Sequence, residues 1–443
     1  MIKKVRYLGW LVLLITLAGC SALPFDLSGG GTEPVSLTQT ASSAVQSTQT
    51  PRPATPSAVV PPAESATPSG PLTLRLWVPP QFDPQGDTLA GNLLQNRLNE
   101  FRSRRPDVQI EVRVKAKDGP GGLYESLAAT TAAAQLAMPD LVALPHPVIQ
   151  TAAVKGLLRP MNGLTNALDD TDWYDYARQL AGLQNSIFGL PFAGDALVQV
   201  YRTGEDVQPA TNWNAVLEST TPLAFAAADP QALFTLAQYQ SEGGKIVDEN
   251  GGPLLEADPL TKVFEFYKAG EQNEVIPFWL TQIQNEDQAW EAFREERADS
   301  LSAWFSRFQT EAIENTSFTQ IPTSDGKPST LAGGWIWSLT SPDPERRQLA
   351  VELAEFLTDS EFLSQWTEAA GVLPPRPSSL EAWSDTEMSA QLNPIASSAQ
   401  LFPAPEVLNV IGPALQEAAV EVLKRQLEPQ VAAQGAVNQL NLP

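Results

Sequence analysis

The most constraining feature of the sequence is an alternation of strand-like and helix-like periodicities. Apolar and polar residues alternate over residues 72–76 and again over 108–114. Between these segments, apolar residues recur at helical spacing over 89–101. A second helical stretch near 122–136 leads to a short apolar run over 140–144. This order predicts an α/β fold, in which ligands meet the loops at the carboxyl ends of the strands.

The second half of the chain is more helical than the first. Apolar residues recur at helical spacing over residues 351–357, 406–427 and 429–440. The part of the chain with these patterns is long enough for two domains with sizeable cores. Among the early loops, residues 79–83 and 145–147 each follow a predicted strand, so we expect them to face a ligand.

The N-terminus has the pattern of a lipoprotein signal peptide. Residues 1–19 combine a basic start with an apolar stretch that is too short to span a bilayer as a helix. The segment Leu17-Ala18-Gly19-Cys20 resembles the bacterial lipobox, whose cysteine is lipidated. We therefore expect Cys20 to carry an acyl chain such as palmitate. The chain would then be anchored at the extracytoplasmic face of the cell membrane. The alternative is an ordinary signal peptide with an incidental cysteine.

Residues 20–70 have a composition that cannot build a core. They are rich in Ser, Thr, Pro, Ala and Gln and contain almost no large apolar side chains. We predict that this segment is a disordered tether, which lets the folded part work some distance above the membrane. Cys20 is the only cysteine, so a disulfide within the chain is excluded.

The charge balance and the catalytic inventory exclude several functions. The net charge of −23 argues against nucleic acid and anionic lipid headgroups as partners. His146 is the only histidine, and the sequence has no G-x-S-x-G, no H-E-x-x-H, no glycine-rich phosphate loop and no cysteine metal cluster. We therefore expect a protein that is not an enzyme and that carries no cofactor or metal.

One acidic cluster invites a metal-binding interpretation. Asp169, Asp170, Asp172 and Asp175 lie close together, but the glycine and the distal glutamate of a calcium loop are missing. A helix that begins near Trp173 explains the cluster better, because Asp or Thr can cap its start and acidic residues suit the positive end of the helix dipole.

The eleven tryptophans indicate a ligand with apolar faces. Trp77, Trp304 and Trp335 lie beside turn residues. Aromatic faces with a few fixed hydrogen-bonding groups suit sugars, whose C–H faces are apolar and whose rims carry hydroxyls. Trp335 follows two glycines, which permit a close approach of the backbone, so ligand contact and core packing are both open for it. We assign Trp337 to the core.

Six segments, taken in order, resemble those of one protein family. They are FRSRRPDVQIEVRV, AAAQLAMPDLVALP, GLPFAGDALVQVYRTG, EGGKIVDENGGP, LAGGWIWSLTSPDPERRQLAVELAEFLTDSEF and AAGVLPPRPS. With these segments the chain resembles the family 1 extracellular solute-binding proteins, the sugar-binding components of ABC importers related to maltose-binding protein. The resemblance runs from about Leu72 to the C-terminus.

The resemblance implies a two-lobed fold of the periplasmic-binding-protein type. Each α/β lobe is built from discontinuous chain, and hinge strands join the two. Lobe 1 would comprise residues 71–193 plus 326–372, and lobe 2 would comprise residues 194–325 plus 373–443. The ligand would lie in the cleft between the lobes, and closure would bury it.

The resemblance also places ligand-binding residues in this cleft. Asp195 falls where sugar-binding relatives have an acidic acceptor for hydroxyl groups. For His146, a loop residue with satisfied hydrogen bonds is the alternative to ligand contact. The predicted ligand-binding set comprises Asp195, Trp335, Gly334, Gly333, Trp304, Arg307, Phe308, Ser306, Gln81, Phe82, Asp83 and His146.

Some positions depart from the pattern of the family. Pro147 and Val148 stand where some maltose-binding relatives carry an Asp-Arg pair that grips sugar. Arg202 follows Tyr201, where Asn is more usual, and a late aromatic is missing near Glu406. These departures argue against a maltodextrin specificity while leaving the cleft intact.

The expected function is that of a monomeric carrier in an ABC importer. The protein would capture a small solute, in the first place a mono- or oligosaccharide, and present it to a membrane permease. Two alternatives use the same cleft. A surface-tethered glycoside hydrolase or lyase needs only two carboxylates, and a lipid-anchored sensor would bind the ligand without a role in uptake.

Overall fold

The computed structural model describes residues 71–204 and 207–440. The predicted signal peptide, the lipidation site at Cys20 and the predicted tether lie outside these described residues. All of the described residues belong to one compact unit of the chain. No helix in the described ranges has the length and the apolarity needed to cross a membrane.

Most of the strands in the described part of the chain belong to one mixed sheet. Its strand order is β2-β1-β3-β10-β6-β8-β7, with β11 paired to β10 and β9 paired to β6. The first three are parallel, whereas β10 runs antiparallel to both β3 and β6. The strands are β1 Leu72–Val78, β2 Val108–Val114, β3 Leu141–Pro145, β4 Gly182–Leu183, β5 Ser186–Ile187, β6 Gly189–Arg202, β7 Leu223–Ala224, β8 Ser300–Trp304, β9 Thr316–Thr319, β10 Thr330–Leu339 and β11 Ala399–Leu401.

Helices cover the sheet and form most of the second half of the chain. Several begin at a side-chain cap, as at Thr88, Asn285 and Asp359, whose oxygens accept a backbone N–H of the first turn. In the described residues the helices are α1 Leu89–Arg104, α2 Leu123–Ala133, α3 Val148–Val154, α4 Asp175–Ala181, α5 Trp213–Glu218, α6 Leu233–Ser241, α7 Ala257–Gln272, α8 Glu286–Arg294, α9 Phe305–Thr310, α10 Pro344–Leu357, α11 Ser360–Ala370, α12 Pro377–Glu381, α13 Thr386–Ser398, α14 Pro405–Leu423 and α15 Pro429–Leu440.

The elements predicted from periodicity are present. The alternating segments form β1 and β2, the first helical segment forms α1, and the apolar run forms β3. The three late helical segments correspond to α10, α14 and α15. Local pattern was sufficient for these elements because each has its own apolar periodicity or apolar run.

The predicted acidic cap of α4 is wrong. Tyr174 occupies the N-cap position and makes no side-chain cap hydrogen bond, although Asp175 lies in the first turn. Asp172 instead accepts a hydrogen bond from the backbone N–H of Ser378 at 2.9 Å and pairs with the Arg376 guanidinium at 3.5 Å. Partners some 200 residues away therefore compete successfully with the local cap.

The hydrophobic core divides into two parts, called here the first core and the second core. The first core packs against both faces of the β1–β3 sheet and includes Leu76 on one face and Trp77 on the other. The second core is built mainly by α6, α7 and α14, with Phe225 and Tyr267 among its buried rings. Trp337 is 1% exposed in the first core, which confirms its assignment.

Two strands belong to both cores. On β6, Ala193 packs in the first core and Ala196 in the second. On β10, Trp337 packs in the first core and Ala332 in the second. The lobe boundaries given above describe which residues move together, and they stay a prediction.

The backbone around Gly194 connects the two cores at close range. Its N–H donates to the carbonyl of Leu373 at 2.6 Å, and the N–H of Leu373 donates back at 3.0 Å. A Cβ at position 194 would lie 2.1 Å from the hydroxyl oxygen of Tyr176. Glycine is therefore required here because three chain segments meet without space for a side chain.

A buried ion pair anchors the first core. Asp140, which is 2% exposed, pairs with the guanidinium of Arg346 from α10. The same carboxylate accepts the backbone N–H of Arg75 at 2.8 Å, and the Arg346 guanidinium donates to the carbonyl of Thr73 at 2.6 Å. These contacts join β1, the start of β3 and α10 through one charged group.

We expect Asp140→Asn to lower the free energy of unfolding by about 3 kcal/mol, because it leaves the guanidinium of Arg346 without its counter-charge. The matched control is Glu111→Gln, which removes a half-exposed partner of Arg75 and Arg113 and should cost roughly 0.5 kcal/mol. Urea denaturation measures both. Equal effects of the two substitutions would show that burial of the Asp140 pair does not matter.

Candidate functional site

A cavity of about 520 Å³ lies between elements of the two cores. The loop after β3 and the middle of β10 reach it from the first core, whereas β6, the start of α8 and the β8–α9 junction reach it from the second. Eight of the twelve predicted ligand-binding residues line it, namely Asp195, Trp335, Gly334, Gly333, Trp304, Arg307, Ser306 and His146. We call this space the outer cavity.

The other four predicted residues lie elsewhere. Gln81 and Phe82 line an adjoining cavity of about 340 Å³, which shares Asp195 and Trp335 with the outer cavity. The Phe82 ring is 4% exposed and packs edge-on against Trp335 in the first core. Asp83 and Phe308 line neither of these two cavities in the described part of the chain. The Asp83 carboxylate accepts the N–H of Gln85 at 2.8 Å, and the Phe308 ring packs on Phe318 at 5.3 Å.

Several residues of the outer cavity were missed by the sequence reasoning. Lys117 and Asp118 lie in the loop after β2, and the rule that ligands meet the carboxyl ends of strands could have found them. Glu286 is the first residue of α8, and Gln231 and Phe402 lie in connecting segments. No local pattern marks these three, because only the tertiary fold brings them to the cavity.

Hydrogen bonds from neighbouring backbone N–H groups hold the carboxylate of Asp195 in place. One carboxylate oxygen accepts the N–H groups of Ala196 and Ser306, both at 3.0 Å, and the other accepts the Ser306 hydroxyl. Burial raises the pKa of Asp195 to about 6, although the hydrogen bonds from Ser306 and Ala196 and the charge of Lys117 act in the opposite direction. The carboxylate therefore positions the start of α9 and keeps acceptor capacity toward the cavity.

Glu286 holds the neighbouring backbone in the same way. One of its carboxylate oxygens accepts the N–H of Trp304 at 2.9 Å, and the other lies 3.9 Å from the guanidinium of Arg307. Burial raises the pKa of Glu286 to about 7, and the negative charges of Asp195 and Asp287 add to this rise. Two carboxyl groups with raised pKa values thus line one cavity.

The guanidinium of Arg307 is turned mainly toward other partners. It donates to the Asp287 carboxylate at 2.6 Å and lies 3.4 Å from the carboxylate of Glu311. It also stacks over the Trp290 ring, with 4.9 Å from the guanidinium carbon to the ring centroid. These two carboxylates therefore neutralise most of the positive charge of Arg307.

His146 lines the outer cavity, and its buried side chain makes no hydrogen bond to the described residues. It is 7% exposed, and neither ring nitrogen has a hydrogen-bond partner among the described residues. Burial lowers its pKa to about 4, so the imidazole is neutral at physiological pH. Its ring meets that of Phe402 edge-on at 4.4 Å, and its peptide bond to Pro147 is cis. A neutral imidazole can donate one hydrogen bond and accept another.

The two glycines before Trp335 serve packing within the protein. A Cβ on Gly333 would lie 2.7 Å from the Phe402 ring, and a Cβ on Gly334 would lie 2.5 Å from the carbonyl oxygen of Ala193. The close approach expected from the Gly-Gly pair is therefore made by protein atoms. The Trp335 ring remains only half-buried and borders both the outer cavity and the adjoining one.

The remaining openings and clusters are chemically less distinctive. Another cavity, of about 620 Å³, is lined by amide, hydroxyl and apolar side chains and by no ionisable residue of the described chain. Within the described residues, no group of three or more His, Cys, Asp or Glu side chains is arranged to hold a metal ion. Buried titratable groups therefore distinguish the outer cavity as the candidate site.

We expect Glu286 to make the stability of the protein depend on pH. Its pKa is about 7 in the folded chain against the usual 4.5, so the folded chain holds a proton that the unfolded chain releases between these values. Glu286 therefore lowers the free energy of unfolding as the pH rises through this window, by about 1 to 3 kcal/mol.

Chemical denaturation on either side of this window checks the effect. Relative to wild type, Glu286→Gln should gain stability as the pH rises, because the glutamine stays neutral throughout. Glu295→Gln on the exposed end of α8 is the matched control and should show no such trend. A stability difference between Glu286→Gln and wild type that is the same on both sides would contradict the raised pKa.

Comparison with known proteins supports the fold. The structure resembles a cyclic α-maltosyl-1,6-maltose binding protein from Arthrobacter globiformis, with a TM-score of 0.68, 16% identity and coverage of 84% of this chain and 98% of that one. It also resembles the sugar-binding protein MalE of Xanthomonas citri, with a TM-score of 0.66, 15% identity and coverage of 83% and 96%. A third relative is the maltose/maltodextrin-binding domain MalE of Bdellovibrio bacteriovorus bound to maltotriose, with a TM-score of 0.58, 21% identity and coverage of 84% and 99%.

These likenesses, at low identity, concern the fold alone, and they confirm the predicted two-lobed α/β architecture. A search of curated protein sequences finds no match. The model of one family, described as bacterial extracellular solute-binding protein, matches residues 97–392, which is more than half of the chain. This chain therefore belongs to the bacterial extracellular solute-binding proteins.

Proposed function

We propose that this chain is the binding component of an ABC importer, which captures a carbohydrate outside the membrane and delivers it to a permease. The outer cavity carries the proposal. It combines the half-exposed rings of Trp304 and Trp335 with the polar groups of Asp195, Glu286 and His146. Aromatic faces beside a few fixed donors and acceptors are suited to the C–H faces and hydroxyl rims of a sugar ring.

The same cavity supports a mechanism of capture by closure. His146 and Trp335 lie beside the first core, whereas Asp195 and Glu286 lie beside the second core. A ligand that contacts both groups binds the closed arrangement more tightly than the open one, and this difference is what drives closure. The permease would then recognise the closed form.

The names of the structural relatives support a carbohydrate as the ligand. They describe proteins that bind a cyclic maltosyl-maltose, a sugar and maltotriose. The saccharide bound here differs from maltodextrin in our proposal, because Pro147 and Val148 line the outer cavity without the charged groups expected for such a ligand.

A lipid on Cys20 completes the proposed arrangement. An anchor at this position and a tether over residues 21–70 would keep the binding protein close to its permease and so raise its effective concentration there. The Cys20→Ala variant should appear in the culture medium, whereas the wild-type chain should sediment with the membrane fraction. Equal membrane retention of both forms would argue against the lipid anchor.

A thermal-shift screen tests the proposed ligand class. The purified chain is heated with mono- and oligosaccharides, polyols, amino acids and polyamines. A saccharide present at a hundred times its dissociation constant should add about 2.7 kcal/mol to the free energy of unfolding and raise the melting temperature. A response to non-sugars alone would retain solute binding and reject the carbohydrate.

Substitutions of Trp335 connect any ligand to the outer cavity. Trp335→Ala should weaken saccharide binding about tenfold, because it removes the half-exposed ring from the cavity wall. Trp335→Phe retains an aromatic face and is the matched control, with a smaller loss. Unchanged affinity in a folded Trp335→Ala variant would place the ligand elsewhere.

A further inference from the structure

A second, smaller cavity opens from the outer cavity toward the second core. Its volume is about 180 Å³, and Gln231, Leu233, Glu286 and Trp304 line both spaces. We call this space the inner cavity. The side chains that give it its chemistry are Asp229, Glu286, Ser302, Trp304, Phe225 and Phe234.

The inner cavity is acidic and has no basic lining. Two carboxyl groups, those of Asp229 and Glu286, line it, and none of the described residues around it is Lys, Arg or His. The guanidinium of Arg307 lies 3.9 Å from one oxygen of Glu286 and binds Asp287 more closely, at 2.6 Å. The acidic charge in this space is therefore poorly compensated.

Hydrogen-bond acceptors remain unused on three side chains of the inner cavity. Asp229 accepts the N–H of Gln231 with one oxygen at 2.9 Å, and no described residue donates a hydrogen bond to its other oxygen. Glu286 accepts the N–H of Trp304 with one oxygen only. Ser302 is 8% exposed, lines the cavity, and has no hydrogen-bond partner for its hydroxyl in the described part of the chain.

Burial destabilises the charged form of both carboxyl groups. It raises the pKa of Asp229 above its ordinary value, and it raises the pKa of Glu286 to about 7. A positive charge placed in the inner cavity would reverse this penalty, because an opposite charge within a few ångströms favours the ionised carboxylate.

The aromatic walls favour the same kind of ligand group. The rings of Phe225 and Phe234 lie 4.4 Å apart and border the cavity together with Trp304. The face of an aromatic ring attracts a cation through its quadrupole. An ammonium group carries three hydrogen-bond donors and no acceptor. It therefore complements the unused acceptors of the inner cavity better than a hydroxyl group does.

We infer that the inner cavity binds a protonated amine on the ligand, so that the substrate class of this protein is an amino sugar. The ammonium donates to the free oxygens of Asp229 and Glu286 and to the Ser302 hydroxyl, while the sugar ring extends into the outer cavity. This inference rests on the proposed function for the sugar part and on the inner cavity for the amine.

Three trisaccharides of the same linkage test the inference. They are β-1,4-linked glucosamine, its N-acetylated counterpart and the glucose trisaccharide, which differ only at the 2-position. Calorimetry on the full chain at neutral pH should give an affinity for the glucosamine form that is about tenfold or more above that for the glucose form. The N-acetylated form should bind no better than the glucose form.

Charge-removing substitutions then locate the amine. Asp229→Asn and Glu286→Gln should each bring the ratio of the two affinities close to unity, because a neutral amide cannot compensate an ammonium. The control Glu361→Gln removes an equal charge at an exposed position of α11 and should leave the ratio unchanged. Melting curves confirm that each variant is folded.

The outcomes separate this inference from the proposed function. Binding of the glucose or N-acetylated form as tightly as the glucosamine form would overturn the amino-sugar inference and leave carbohydrate capture standing. An amine preference that survives both Asp229→Asn and Glu286→Gln would also overturn it. Binding of simple polyamines with no saccharide bound would support the cation site but overturn the carbohydrate. Binding of neither class would overturn both.

Discussion

The pairing of β6 with β10 is the constraint on which the rest of the structure depends. The first part of β6 pairs with β10 from Ala196 back to Gly189, with one register shift between Trp335 and Ile336, and the remainder of β6 pairs with β8 and β9. One strand therefore belongs to both cores. Asp195 on β6 and Trp335 on β10 both line the outer cavity, and other residues that line it lie on elements attached to this strand pair. At Gly194 the two cores adjoin so closely that a side chain would not fit.

The sequence was sufficient to predict those elements whose formation depends on interactions within one short segment. β1, α1, β2 and β3 could be predicted because each shows its own apolar periodicity. The Gly-Gly pair was recognised as a close approach, but its partner is the Phe402 ring, nearly 70 residues later in the chain. The same limit explains Lys117 and Glu286, since no local pattern reports which distant loops share a cavity. The predicted Asp or Thr cap of α4 failed for a related reason, because Asp172 pairs with the distant guanidinium of Arg376 instead.

The two carboxylates near the cleft organise one short segment. Asp195 and Glu286 accept the backbone N–H groups of Ser306 and Trp304, respectively, so both stabilise the turn from β8 into α9. This arrangement explains how carboxyl groups with raised pKa values persist in the fold. Their hydrogen bonds orient Trp304 toward the cavity, and the remaining desolvation cost can be recovered by a ligand that donates to them. The proposed function therefore assigns structural support and ligand affinity to the same atoms.

The division of the cleft into two cavities separates affinity from closure. The inner cavity lies against the second core, to which Phe225 and Phe234 belong. Under the proposed function, a group bound there would hold the ligand without driving closure, because it would contact one side of the cleft only. His146 and Trp335 reach the outer cavity from the first core, and only a ligand long enough to touch them gains energy on closing. In the proposed mechanism, contacts in the outer cavity therefore drive closure, and contacts in the inner cavity add affinity.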